Sequence, residues 1–140
     1  MIKFLLDTHA LLWWLFDEPK LCSIARTQIS HPQNEIYVSS ASAWEIATKH
    51  RIGKMPEAKE LLQNYQEILQ QARFIELPIT TKHALRAGAL PIKHRDPFDR
   101  MLMAQAELDN LAIITYDPEF NLKHLTIIPS PKINQQIKPE

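Results

Sequence analysis

The sequence predicts an α/β domain, a mainly parallel central sheet flanked by helices on both faces, and three observations carry that prediction. Short apolar runs bounded by turn residues recur along the chain, as buried strands do. Segments with apolar residues at helical period separate them, which is the pattern of crossover-connected parallel strands. The 140 residues, 45% of them apolar, are enough for one buried core.

Ile2 to Leu6 is the first strand, ending on Asp7, and Thr8 to Phe16 reads as a helix. Pro19 closes that unit. Ser23 is the expected N-cap of a short helix carrying Ile24 and Ile29, and Ile36 to Val38 form the second strand. From Ala41 to Ile52 the signals again agree on a helix, with serines at 39, 40 and 42 around its start and Gly53 where a left-handed C-terminal residue belongs. Glu57 to Ala72 reads as one longer amphipathic helix, with Leu61, Leu62, Tyr65, Ile68 and Leu69 at helical period.

Phe74 to Leu77 is the third strand and Thr81 to Ala89 a helix. Asp96 before Pro97 starts the next helix, because proline fits the first helical position and the aspartate caps the free amides behind it. That helix runs to about Asn110. Leu111 to Thr115 is a fourth strand, Asp117-Pro118 a turn, and Leu125 to Ile128 a fifth strand. Residues 1–129 form the expected domain and 130–140 a polar tail that should fray.

Composition narrows the function classes. One cysteine, Cys22, cannot form an internal disulfide, and the six histidines show no zinc spacing. The opening apolar stretch is interrupted by Asp7 and His9, and its longest run, Ala10 to Phe16, is far below the ~18 residues of a membrane span. A cytoplasmic protein is expected, with no membrane partner. Lys plus Arg and Asp plus Glu stand at 16 each, so any nucleic-acid site must be local. Two basic clusters are available, Lys49 to Lys54 and Lys93 to Arg100, and each also fits a solvated helix end or loop.

In a parallel sheet, ligands bind beyond the carboxyl ends of the strands. Asp7 follows the first strand directly, Asp117 lies just past the fourth, and Glu45 and Asp99 stand in the early turns of helices that start at that edge. Each has a plainer explanation: Glu45 in a Ser42 capping box or paired with Lys49, Asp99 complementing a helix dipole, Asp117 opening a turn. Asp7 resists this, since an unpaired charge at the end of a buried strand costs several kcal/mol. Together the four predict a site for a hard cation, Mg²⁺ with Mn²⁺ as a substitute. Such a cation activates water and offsets the charge growing on a phosphodiester, so hydrolysis is the expected chemistry.

These residues carry a family likeness: Leu-Leu-Asp7-Thr8-His9, then Trp44-Glu45-Ile46-Ala47 with Lys49 and Gly53, Asp96-Pro-Phe-Asp99-Arg100, and Thr115-Tyr-Asp117. The chain resembles a PIN domain, and in particular the VapC-type ribonuclease toxins of bacterial toxin–antitoxin pairs. The resemblance implies a three-layer PIN-like fold, Mg²⁺-dependent endonuclease action on RNA, a homodimer and a cognate antitoxin. It implies an acidic site of Asp7, Glu45, Asp99 and Asp117, with Asp96 a second candidate near the metal. Thr8 and Thr115 resemble hydroxyl residues that hold carboxylates or water, and Lys49 and Arg100 resemble groups that approach phosphate.

Competing classes remain open at this level. Some phosphatases use a strand-ending aspartate as nucleophile, but they want a second aspartate two residues on, where this chain has His9. A PIN-type nuclease that processes RNA or cuts DNA without an antitoxin is one alternative, and a binding module with vestigial acids is another. The segment Ala10 to Phe16 is apolar around its whole circumference, so one face enters the core and the other needs cover from a neighbouring layer, a second copy or an antitoxin.

Overall fold

The structure, a computed structural model, describes residues 1–93, 95–117, 120 and, for their backbone, 127–128. In chain order it runs β1 (Lys3–Leu6), α1 (Thr8–Leu15), α2 (Ser23–Ser30), β2 (Glu35–Ser39) and α3 (Ser40–Arg51). A single 3-10 turn, Pro56–Ala58, leads to α4 (Lys59–Gln63), α5 (Tyr65–Gln71), β3 (Ile75–Leu77) and α6 (Thr81–Ala89). The chain continues through α7 (Pro97–Asp109), β4 (Ala112–Ile114) and β5 (Ile127–Ile128).

The five strands form one sheet in the order β3-β2-β1-β4-β5, and every pairing is parallel. The chain winds outward from β1 through β2 to β3, then returns across the sheet to place β4 on the other side of β1. Strand order therefore reverses between β1 and β4, the topology at which open α/β sheets bind ligands beyond the strands' carboxyl ends.

Alternation along the strands divides the core. Phe4 and Leu6 join Ile36, Val38 and Ile114 on the face covered by α1 and α2, with Ile46, Leu61 and Leu69 completing that layer. Leu5 and Ile113 face the opposite way, against Ala87 of α6 and Leu102, Met103 and Ala106 of α7. A two-residue period with both faces buried explains why the strands read as unbroken apolar runs. The apolar circumference of α1 is covered largely from within: Leu11 and Leu12 are buried, Trp13 lies between His9 and Tyr116, and Trp14 meets Phe74.

Two local expectations are corrected. The single helix from Glu57 to Ala72 is broken at Asn64, whose backbone leaves helical geometry (φ −129°, ψ 29°) between α4 and α5. Asparagine competes poorly for a helix interior, and the break lets Leu61 and Leu69 both reach the core. Ser23 is the first residue of α2 rather than its cap; Cys22 holds the cap position and supplies no side-chain bond. Other termini follow the sequence signals. Ser39 accepts from Ala41 N, Gly53 adopts φ +81°, and Asn110 ends α7 at φ 55°. Pro118, Leu125, Thr126 and the expected tail from residue 130 lie outside the described residues.

Candidate metal centre

Asp7 sits where β1 gives way to α1 and is 4% exposed. As the N-cap of α1 it accepts from Ala10 N through Oδ1 at 2.7 Å. Its Oδ2 accepts from the Thr115 hydroxyl, just past β4, while its own N–H donates to Ile114 O at 3.1 Å. Thr115 in turn accepts from Asp117 N at 3.0 Å, so one hydroxyl links the acids that follow β1 and β4. Burial is the main reason the Asp7 carboxyl is pushed up to about 6, against the opposing pull of the Thr115 and Ala10 bonds; the Asp117 charge adds to the rise.

Glu45 points inward from α3 and is likewise 4% exposed. Oε2 meets Lys49 Nζ at 2.5 Å, one helical turn on. Oε1 is buried and has no hydrogen-bond partner among the described residues. Ser42, one turn earlier on the same helix, is buried and shares a hydrogen bond with Thr8 Oγ1 at 3.0 Å, which ties α3 to the start of α1. That contact replaces the capping box the Ser42-to-Glu45 spacing had suggested. The i,i+3 spacing was the only sequence sign that Ser42 faces the same way as Glu45.

Asp99 lies in the first turn of α7, half-buried, behind the Asp96 cap that accepts from Phe98 N at 2.9 Å and Asp99 N at 3.2 Å. Burial first, then the charges of Asp96, Glu45, Asp117 and Asp7, push its carboxyl up to about 7. Every acid singled out in the sequence thus acts on Asp99. The guanidinium of Arg100, next on α7, donates to the carbonyls of Ala87, Gly88, Leu90 and Ile92 at 2.8 to 3.3 Å, clamping the end of α6 and the loop beyond it.

The donor set suits a hard divalent cation: carboxylate oxygens only, mutually repelling, with a buried oxygen on Glu45 that has no partner among the described residues. Among the described residues no group of three or more His, Cys, Asp or Glu side chains forms a ready-made cage. Mg²⁺ does not require one, since it binds through one or two carboxylates and keeps several waters.

A family model described as PIN domain matches residues 4–123. Ribonuclease VapC22 of Mycobacterium tuberculosis (strain ATCC 25618 / H37Rv) is 30% identical over 118 residues, covering 84% of this chain and 88% of that protein. In fold, the chain resembles VapBC2 from Rickettsia felis, solved bound to a DNA fragment from its promoter, at a TM-score of 0.68 and 17% identity over 90% of this chain and 97% of that one. It also resembles VapBC-1 from nontypeable Haemophilus influenzae, at a TM-score of 0.63 and 20% identity over 90% and 96% of the two chains.

Proposed function

The chain belongs to the PIN domain family, and from that premise we propose that it is a metal-dependent endoribonuclease that acts as the toxin of a toxin–antitoxin pair. The observation that carries the reading is the field at Asp99, where Asp96, Glu45, Asp117 and Asp7 all raise the carboxyl. Nothing in the packing of the fold requires acids from β1, α3, α7 and the end of β4 to share one edge. The similarity to a curated ribonuclease supports RNA as the substrate, and the likeness to VapBC structures supports an antitoxin partner.

Asp7, Glu45, Asp99 and Asp117 would hold Mg²⁺, with Mn²⁺ able to replace it. When bound, the cation supplies an activated water and offsets charge on the phosphate. The chain's own groups hold the site in shape. Asp7 is fixed at both oxygens by Ala10 N and the Thr115 hydroxyl, so its orientation is set before any ligand arrives. Lys49 steadies one oxygen of Glu45 and leaves the other open. Burial and the neighbouring acids push the Asp99 carboxyl up to about 7 without a cation, and a bound cation would favour its ionised form.

The reading includes a homodimer, a protein antitoxin that masks the site, and action in the cytoplasm; no helix among the described residues is long and apolar enough to cross a membrane. The test is cleavage of a mixed RNA substrate with Mg²⁺, Mn²⁺ or EDTA, alongside Asp7→Asn and Asp99→Asn. Metal-dependent cutting that both folded variants lose is the expected result. Equal inertness of folded, antitoxin-free wild type and variants would overturn it. Copurification with the product of a small neighbouring reading frame, and loss of cutting in that complex, tests the antitoxin.

A further inference from the structure

Two aromatic side chains flank the acids without belonging to them. Trp44 precedes Glu45 on α3 and Phe98 precedes Asp99 on α7, and their rings meet edge to face at 4.8 Å. Glu45 turns into the protein, whereas Trp44, its neighbour on the helix, is 59% exposed. Phe98 fixes the indole so that its remaining surface is presented to solvent in one orientation.

The exposed stripe of α3 runs Ser40, Trp44, Ala47, Arg51 at successive helical turns, which sets a cation two turns along the helix from the indole. Lys93 and Arg95, also exposed, line an open depression beside Ile92 and Arg100 on the loop that leads to Phe98. An exposed, braced indole beside the acids, with cations on the same helix and on the segment that leads to Phe98, suits unpaired nucleic acid, one base stacked and the backbone held by charge.

Building on the ribonuclease reading, we infer that Trp44 is a stacking platform for an unpaired nucleobase of the substrate, and that it confines the acidic site to single-stranded RNA. A base held in a duplex has no free face to offer it. The platform acts on binding, not on the reacting bond.

Affinity for a short unpaired oligoribonucleotide and for a hairpin of the same composition, measured in EDTA, tests this on wild type, Trp44→Ala, Trp44→Leu and Trp44→Phe. Loss of one stacked base should weaken binding of the unpaired strand about 5- to 100-fold in the Ala and Leu variants, with Phe within a few-fold of wild type. Hairpin stem binding should be weaker than strand binding for wild type and unchanged across the series. In Mg²⁺, KM should rise with kcat held. Equal affinity in folded Ala and Leu variants overturns the inference, as does a change in solution mass or in antitoxin binding with RNA affinity intact, which would make Trp44 a protein contact. The two readings fail separately. Cleavage by wild type with no Trp44 effect sinks the platform alone, no cleavage with a clear Trp44 effect in EDTA sinks the nuclease alone, and no RNA binding at all sinks both.

Discussion

Thr115 donates its hydroxyl to Asp7, a residue 108 positions earlier in the chain, across the gap between β4 and β1. The bond spans the point where strand order reverses, and the same hydroxyl accepts from Asp117 N. Thr115 thus positions the acidic site without being one of its acids.

Thr115→Ala or Thr115→Val removes that donor and leaves a buried carboxylate oxygen without it. Stability should fall by about 1–3 kcal/mol in urea unfolding. The Asp7 carboxyl should rise further, since Thr115 is the largest influence holding it down. The acidic limb of the cleavage pH profile should move to higher pH, and Thr115→Ser should restore it. A purely structural threonine would leave the profile in place.

The metal-free protein should lose stability as pH rises. Asp7 near 6 and Asp99 near 7 both lie above the ~3.9 of an unfolded aspartate. An acid raised by folding favours the folded state when protonated, so its contribution is full below about pH 4 and is lost as pH climbs through those folded values. Asp7 accounts for on the order of 2–3 kcal/mol and Asp99, less deeply buried and more screened by solvent, for less. Tm in EDTA should be lower at pH 8 than at pH 5, Asp7→Asn should flatten the slope, and Mg²⁺ should raise Tm more at pH 8.

Lys49 is the one cation among the described residues that pairs with the buried Glu45. Lys49→Met should cost about 2–4 kcal/mol, because a carboxylate left buried without its partner is worse than no charge at all. Combining it with Glu45→Gln should recover most of that loss. A double-mutant cycle in urea measures the coupling, and simple additivity would show that the pair does not support α3.

Arg100→Ala should destabilise the fold by about 2–4 kcal/mol, because four carbonyls around the end of α6 lose a charged donor. Arg100→Lys should recover little, since a single ammonium cannot reproduce the spread of the guanidinium. An effect seen in RNA affinity but not in Tm would instead make the side chain a phosphate contact.

Much of this was legible in the sequence because it depends on neighbours in the chain. Asp96-Pro97 marked the start of α7 through local capping, Gly53 marked the end of α3 through its backbone freedom, and the apolar run before Asp7 marked a buried strand with an acid at its end. The placing of Asp7, Glu45, Asp99 and Asp117 on one edge followed from strand-to-helix order alone. The break at Asn64 did not, because periodicity continues across it and only the demand of the core on Leu61 and Leu69 separates α4 from α5.

By itself, then, the sequence determined the fold class, the element order and the acids at the carboxyl edge, since each is written in a local pattern of apolar, capping and turn residues. Tertiary structure alone decided strand order, and with it the contacts of Thr115 with Asp7, Ser42 with Thr8 and Trp44 with Phe98. It also turned Arg100 toward the carbonyls of α6. The physical reason is that a side chain's chemistry is fixed by its residue type, but its partner is chosen by packing, and packing brings together residues that no local pattern relates.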